Sequence, residues 1–172
     1  MSRFHEHFRR YRDVGLACVR EFQEVFGAHI SASPSIPDEP VHAALAIYHQ
    51  EAKRLGERLK QASADSGVQG GSLLLIRLQL IQEELAELAA GMISRDPVEC
   101  LDALGDLSYV VDGTYLTLGL HDLKLRAIQE IHRSNMTKLG EDGRPIISAA
   151  GRVVKGPNYE PPQLAHMVKE MA

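Results

Sequence analysis

The amino-acid sequence predicts an all-α fold. Apolar residues recur at steps of three and four through most of the chain, which is the period of a helix with one buried side. Stretches rich in Gly, Ser and Pro separate these periodic segments, most of which are too long for strands. The 172 residues, with 44% hydrophobic and 24% charged side chains, suit one globular domain. We therefore expect a single domain over residues 1–172, a helical bundle with a short C-terminal β-hairpin or irregular tail.

The first two predicted helices precede the acidic part of the chain. The first is expected over about residues 3–26 and ends at Gly27, and a Ser/Pro-rich linker follows over 31–40. The second is expected over about residues 41–62, and the sequence SADSGVQGG after it predicts a mobile loop. The side of this second helix that is expected to face the core carries Leu45, Tyr48, Ala52, Leu55 and Leu59.

The third and fourth predicted helices are expected to be antiparallel neighbours, because only Gly91 to Asp96 connects them. The third covers residues 72–93, and its apolar stripe consists of Leu74, Leu78, Ile81, Leu85, Leu88 and Met92. Asp96 is the expected cap of the fourth, with Pro97 at its first position and Glu99 three residues after the cap. Its expected packing face consists of Leu101, Leu104, Leu107, Val111 and Tyr115.

The rest of the chain is predicted to hold one more main helix and a short irregular tail. Gly119 ends the fourth helix, and Asp122 is the expected cap of the next, which reaches about Ser134. The segments PIIS and RVV, which lie between turn signals, are candidates for a small hairpin. The segment QLAHMVKEM predicts a terminal helical turn.

Five acidic side chains lie inside two otherwise apolar helical segments. A carboxylate moved from water into an apolar bundle costs several kcal/mol unless it is paired, protonated or coordinated. No Lys or Arg lies between Arg77 and Arg95 to neutralise the first group. Oxygen ligands suit hard cations, so the grouping predicts a bound Mg²⁺, with Mn²⁺ as a possible substitute. The five residues are Glu83, Glu84, Glu87, Asp102 and Asp106.

Helical geometry lets these carboxylates converge. Glu84 and Glu87 lie together on the flank of the apolar stripe, with Glu83 one position further round. On the next helix Glu99, Asp102 and Asp106 share an arc on consecutive turns. A single acidic pair with this spacing is usually a solvated face, but two such groups on neighbouring helices favour a metal site.

The same residues resemble a known superfamily. The pattern Glu84-x-x-Glu87 followed by a second acidic pair resembles the all-α NTP pyrophosphohydrolases, which include MazG, dimeric dUTPases and phosphoribosyl-ATP pyrophosphohydrolase. The segments HRSNMTKL, EDGRPI and KGPNY in the C-terminal part are similar to the phosphoribosyl-ATP-pyrophosphohydrolase-like branch, as is the early CVREFQEVFG. The resemblance covers most of the chain apart from residues 41–71, a probable insertion. It implies a MazG-like helical bundle.

The resemblance implies hydrolysis of a (deoxy)nucleoside triphosphate at the α-phosphorus, giving the monophosphate and pyrophosphate. Such an enzyme would remove unwanted nucleotides from the pool, with a dUTP-like preference possible. The implied metal ligands are Glu84, Glu87, Asp102 and Asp106, and the implied catalytic residues are Glu83, which would polarise the attacking water, and Glu84. The superfamily commonly has a Glu where this chain has Ala103, so Asp102 or Glu99 takes that role.

The segment from His132 to Tyr159 offers groups for the rest of the substrate. By resemblance, Lys138 and Lys155 are candidates for phosphate and Asn135 and Asn158 for sugar or base. The other two candidates are Arg133 and Tyr159. The alternative is structural, since basic residues near a helix end often only complement the helix dipole.

Two other functions remain open: hydrolysis of phosphoribosyl-ATP with the same fold, and a non-catalytic nucleotide-binding or interaction protein. The net charge of −4 with dispersed basic residues does not suggest nucleic-acid or membrane binding. The basic N-terminal stretch MSRFHEHFRRYR is expected to start an amphipathic helix and not to be a targeting peptide, and no apolar run is long enough to span a membrane. A cytoplasmic protein is expected.

Assembly and cysteine chemistry complete the predictions. Leu73, Leu75 and Val110 lie off the main apolar stripes, which predicts burial against another copy, as a homodimer or a dimer of dimers. Cys18 and Cys100 have no metal-binding spacing and are expected to be small core residues.

Overall fold

A computed structural model describes residues 13–171 of the chain. This part of the protein is helical, and no β-strand longer than an isolated bridge occurs within it, so the all-α prediction is confirmed. The helices are α1 (Val14–Phe26), α2 (His42–Ala64), α3 (Leu73–Ser94), α4 (Pro97–Thr117), α5 (Lys124–Met136) and α6 (Ala165–Lys169), with a 3₁₀ turn (His121–Leu123) before α5.

The chain divides into two compact units. One unit is formed by residues 31–119 and contains α2, α3 and α4. The other combines residues 1–30 with 120–172, and its described part contains α1, α5, α6 and the segment between α5 and α6. The expectation of one domain over residues 1–172 stays a prediction.

In the unit of residues 31–119, α3 packs against both α2 and α4. The most buried apolar side chains in these contacts are small. They are Ala52 of α2, Ala86 and Ala89 of α3, and Cys100 and Ala103 of α4. Small side chains let helix axes approach closely, so the larger residues beside them remain at the edges of the contacts.

The predicted apolar stripes are therefore wrong in part. Leu74 and Leu78 of α3 are 61% and 55% exposed, and Leu101 of α4 is 72% exposed. On α2, Ala52 is buried as predicted, while Tyr48 and Leu55 are exposed. Two other predicted core residues, Met92 and Leu104, are also exposed. Close packing through alanine leaves these large side chains without a partner in one copy of the chain.

The helix boundaries follow the predicted signals closely. Gly27, with φ of 67°, ends α1, and the Asp96 carboxylate accepts hydrogen bonds from the backbone N–H groups of Val98 (2.8 Å) and Glu99 (3.4 Å). The described start of α1 is capped by Asp13, and residues 3–12 of the predicted helix, with the basic N-terminal stretch, lie outside the described residues. The cap predicted at Asp122 is wrong, because this residue lies within the 3₁₀ turn.

A tight corner joins α3 to α4. A Cβ atom added to Gly91 would stand 3.0 Å from both the backbone nitrogen and the Sγ atom of Cys100. Glycine is therefore required where the end of α3 meets the start of α4. Cys100, like Cys18, is a free and buried thiol, which confirms that both cysteines are small core residues.

The segment after α5 contains one short strand-like contact. Ile147 and Val153 form an antiparallel bridge, and the Ser148 N–H donates to the Arg152 carbonyl at 2.9 Å. The predicted hairpin is thus present as a single bridge. The predicted terminal turn is α6. Among the helices described between residues 13 and 171, none has the length and apolar content that a membrane span requires.

Candidate active site

The acidic residues of α3 and α4 form a cluster around Glu84. Burial raises the pKa of Glu84 above its ordinary value, and the charges of Glu87, Asp106, Glu83 and Asp102 raise it further, in that order. The five carboxylates singled out in the sequence are therefore electrostatic neighbours in the fold. With all five ionised, the cluster is unfavourable until a positive charge joins it.

Glu84 also carries an orphaned polar atom. Its Oε2 is buried and has no hydrogen-bond partner in the described structure. A buried acceptor without a hydrogen-bond partner destabilises the folded protein by about 1–3 kcal/mol, and by more when the acceptor is charged. Among residues 13–171, no three His, Cys, Asp or Glu side chains already stand in a metal-holding arrangement. The donors are all oxygens and repel one another, which fits a hard divalent cation that would draw them together.

The two candidates for the second acidic position differ in location. Glu99 and Asp102 both line an open groove along α4, together with Asp106, Val98, Leu101 and Gly105. Asp102 is one of the charges that raise the pKa of Glu84, whereas Glu99 is not. Glu99 lies in the first turn of α4, further from α3's acidic residues along the helix. Asp102 therefore acts on Glu84 electrostatically and Glu99 does not, and both stay candidates for the second acidic position.

Glu83 is oriented by a neighbour on its own helix. The Gln79 side-chain amide donates a hydrogen bond to Glu83 Oε1 at 3.0 Å, one turn earlier on α3. One carboxylate oxygen is thereby held, and the other is left to interact with water or substrate. This arrangement suits the water-polarising role that the resemblance implies for Glu83.

A cavity that sequence reasoning missed lies between α2 and α3. Its volume is about 270 Å³, and its lining consists of His49, Ala52, Lys53, Gly56, Glu57, Gln82, Glu83, Ala86, Glu87 and Ala90. Two members of the acidic cluster, Glu83 and Glu87, thus also face α2. A signal was present in the sequence, because His49, Lys53 and Glu57 recur at steps of four and share one face of a helix. It was overlooked because residues 41–71 were treated as an insertion.

Three residues of the segment HRSNMTKL hold the chain that follows. The Arg133 guanidinium donates to Glu130 (2.9 Å) and Glu160 (2.7 Å), and the Ser134 hydroxyl donates to the Glu160 carbonyl (2.7 Å). The Thr137 hydroxyl oxygen accepts from the Glu160 N–H at 2.9 Å. Arg133, predicted to bind substrate, is therefore already engaged with two carboxylates of its own unit.

The remaining substrate candidates are brought together only in part. The Gly156 N–H donates to the Lys138 carbonyl at 3.1 Å, so the segment KGPNY lies against Lys138. A Cβ atom on Gly156 would stand 2.0 Å from the Leu139 carbonyl oxygen, which explains the glycine. The Lys155 ammonium lies 4.3 Å from the centroid of the Tyr159 ring.

Asn135 and Asn158 have different surroundings. Asn135 lines a small cavity of about 70 Å³ between α1 and α5, together with Cys18, Val19, Phe22, Ile128, Ile131 and His132. Asn158 is exposed within KGPNY. All the candidates from Arg133 to Tyr159 belong to the unit of residues 1–30 and 120–172, whereas the carboxylates belong to the unit of residues 31–119.

Comparison with known proteins agrees with the acidic motifs. The model of the phosphoribosyl-ATP pyrophosphohydrolase family matches residues 52–135, just under half of the chain, which includes all of α3 and α4. No curated protein matches the chain significantly. A crystal structure from Exiguobacterium sp. 255-15, described as a candidate NTP pyrophosphohydrolase, is similar with a TM-score of 0.53 and 22% identity. The match covers 92% of this chain and 98% of that one.

At this identity the Exiguobacterium structure shows the fold alone, and the fold it shows covers nearly the whole chain. The family match includes the two helices that carry the clustered carboxylates. The predicted resemblance to the all-α NTP pyrophosphohydrolases, and to their phosphoribosyl-ATP-pyrophosphohydrolase-like branch, is therefore confirmed. The chain is similar to a family of nucleotide pyrophosphohydrolases.

Proposed function

Starting from this similarity to a pyrophosphohydrolase family, we propose that the protein hydrolyses a (deoxy)nucleoside triphosphate to the monophosphate and pyrophosphate. The observation that carries the proposal is the surrounding of Glu84 by four further carboxylates, with one Glu84 oxygen buried and unpaired. Such a site binds a hard cation and the phosphates attached to it. Its physiological role would be the removal of unwanted nucleotides, with a dUTP-like substrate as one preference.

In the proposed mechanism, Glu84, Glu87, Asp102 and Asp106 would hold Mg²⁺ or Mn²⁺, which would supply positive charge to neutralise the phosphates and polarise the α-phosphoryl group. Glu83, oriented by Gln79, accepts a proton from the attacking water. Water attacks the α-phosphorus, the bond to the bridging oxygen breaks, and pyrophosphate leaves with the displaced electron pair. Lys138 and Lys155 are the proposed cationic contacts for the departing phosphates.

The proposal is tested by pyrophosphate release from a panel of dNTPs, NTPs and phosphoribosyl-ATP, with Mg²⁺ or Mn²⁺ and with EDTA as the control. We expect release from at least one nucleoside triphosphate that stops when EDTA removes the metal. Release that persists in EDTA would contradict the metal assignment. Tight nucleotide binding without release from any substrate would support a non-catalytic binding protein.

Phosphoribosyl-ATP is the second candidate substrate, and the description of the matching family favours it. Both substrates undergo cleavage of the same type of bond, so the acidic cluster serves either. The panel distinguishes them, because selective hydrolysis of phosphoribosyl-ATP would replace the nucleoside triphosphate in the proposal.

We also propose that the protein acts as a homodimer or a dimer of dimers. Val98 and Leu101 are 71% and 72% exposed in one copy, and both border the α4 groove that contains Asp102 and Asp106. A second copy packed on this face would bury apolar surface and shield the carboxylates from water, which strengthens their attraction for a cation.

A further inference from the structure

We propose that the cavity between α2 and α3 receives the nucleobase of the substrate, and that His49 reads the base through a hydrogen bond. The proposal rests on the proposed function and assigns to the substrate a place which the acidic cluster does not provide. The cavity is formed within residues 31–119, between His49 and Gly56 of α2 on one side and Gln82 and Ala86 of α3 on the other.

His49 has a defined hydrogen-bonding direction. Its Nδ1 lies 2.8 Å from the Ala86 carbonyl oxygen. A carbonyl can only accept, so Nδ1 carries the proton and donates. In the neutral ring, Nε2 is then an acceptor with a free lone pair. The ring belongs to the cavity lining, so this acceptor is available to an N–H group of a bound molecule.

The shape of the cavity suits a flat ring. Ala52, Gly56, Ala86 and Ala90 leave its walls short, and a Cβ atom on Gly56 would have no heavy atom within 4 Å. Gly56 is itself buried, so the missing side chain leaves space within the cleft between α2 and α3. A volume of about 270 Å³ is sufficient for a base together with part of its sugar.

The charges of the lining select which end of a nucleotide enters. Glu57, Glu83 and Glu87 oppose one positive side chain, Lys53. Phosphate oxygens would be repelled by this excess of carboxylates, whereas an uncharged base would not. Gln82 adds an amide that forms no side-chain hydrogen bond to another residue within 13–171, so it can both donate to and accept from a base.

The position of the cavity fits the reaction. Glu83 and Glu87 line it and also belong to the charges around Glu84. A base in the cavity therefore lies beside the carboxylates, and the phosphates of the same molecule extend toward them. The Nε2 acceptor of His49 can pair with a base N–H, either the ring N–H of uracil, thymine or guanine or the exocyclic amino group of cytosine or adenine.

The test is calorimetric binding of nucleoside monophosphates with Mg²⁺ present to offset the carboxylates beside the phosphate, comparing wild-type protein with Gly56→Leu and with Ala62→Leu. Leucine at position 56 fills the cavity, whereas Ala62 is exposed on the same helix and does not line it. We expect Gly56→Leu to weaken binding about tenfold or more and Ala62→Leu to leave it within about twofold. Equal affinity of Gly56→Leu and wild type, or no binding of any monophosphate to wild type, would overturn the proposal.

Two additional variants complete the test: one replaces Gly56→Leu if that protein does not fold, and the other removes the proposed hydrogen bond to the base. If Gly56→Leu does not fold, Gly56→Ala adds one methyl group to the same space, and replacing a helical glycine by alanine favours the helix. The affinity of Gly56→Ala for the monophosphate must then be lower than that of wild type, while its melting temperature is equal to or higher than that of wild type. His49→Ala is expected to weaken binding of the monophosphate that wild type binds most tightly by about tenfold. Unchanged affinity of His49→Ala for that monophosphate would overturn the base-reading role.

Triphosphate hydrolysis, measured on the same proteins, separates the two proposals. If wild type and Gly56→Leu hydrolyse a triphosphate with the same KM, the cavity assignment is overturned and the proposed reaction is retained. Binding that depends on Gly56 and His49, without hydrolysis of any triphosphate, would retain the cavity and overturn the reaction. A change in oligomeric state of Gly56→Leu without a change in nucleotide affinity would identify the cavity as a contact between copies, which also overturns it.

Discussion

At the residue scale, the ionised form of Glu84 serves the proposed reaction but destabilises the folded protein when no metal is bound. Its pKa is raised in the folded protein by burial and then by its acidic neighbours, so ionisation at neutral pH opposes folding in the absence of metal. We expect Glu84→Gln to abolish metal-dependent turnover, as Asp106→Asn should, and to raise the melting temperature of the metal-free protein. Scanning calorimetry in EDTA and pyrophosphate release measure the two effects. A less stable but active Glu84→Gln would contradict both assignments.

A second carboxylate, Glu130, behaves in the opposite way. Hydrogen bonds from Arg133 and from the Gln163 N–H lower its pKa from 4.5 to about 2. A depressed pKa contributes stability that is complete above the unfolded value and is lost as the pH falls through the folded value. Glu130→Gln should therefore be less stable than wild type above pH 4.5, and the difference should fade toward pH 2. Unfolding curves across this range measure it, and a constant difference would contradict the ion pair.

The residues of the acidic cluster could be predicted because their types are improbable in apolar helices. The full engagement of Arg133 could not, because only its pair with Glu130, three residues earlier on the same helix, follows a sequence pattern, whereas Glu160 is far away in the sequence. The hydrogen bond of His49 could not be predicted either. Its partner is a backbone carbonyl, and every residue has one.

At the element scale, the segment after α5 depends on one close approach. A Cβ atom on Gly156 would stand 2.0 Å from the Leu139 carbonyl oxygen, so Gly156→Ala requires the backbone to move. We expect a loss of stability of about 1–3 kcal/mol or more, because overpacking of this kind cannot be relieved by a side-chain rotation. Denaturant unfolding provides the measurement.

Gly105→Ala is the matched control for that substitution. A Cβ atom at this position in α4 has no heavy atom within 4 Å, and the backbone is helical. Its stability should be unchanged or slightly higher. Equal destabilisation by the two alanines would show that close packing at Gly156 is not the cause.

Helix positions could be predicted from capping residues and glycines, since these act locally. Which side of each helix is buried could not be predicted fully, because the apolar period marks a broad face and not the line of closest contact. In α3 that line runs through Ala86 and Ala89, while Leu74 and Leu78 stand off it. Alanine gives little hydrophobic signal, although it permits the shortest distance between axes.

At the scale of the whole molecule, exposed leucines predict association. Leu101 is 72% exposed in one copy, beside the acidic groove. We expect light scattering to show a dimer or larger at micromolar concentration, and Leu101→Glu to shift it toward the monomer. Val68→Glu, at a 55% exposed position in the turn between α2 and α3, is the control and should not do so. A monomeric wild type would contradict the assembly.

The fold class could be predicted for the whole molecule because helical periodicity extends along most of the chain. The division into residues 31–119 and the paired terminal segments could not be predicted. Such a division arises from contacts between α1 and α5, which are far apart in sequence. Their packing, including the 3.0 Å contact of His132 with Glu21, depends on tertiary structure and not on a local pattern.

The position of α3 between two helices has a consequence for how this protein could change over generations. The five clustered carboxylates come from α3 and α4, whereas α2 supplies His49, Lys53, Gly56 and Glu57 to the cavity. Substitutions on α2 leave every clustered carboxylate and its spacing intact. Under the proposed assignments, descendants of this chain would acquire new substrates by mutating a single helix, while they would inherit the bond-breaking step unaltered from the other two.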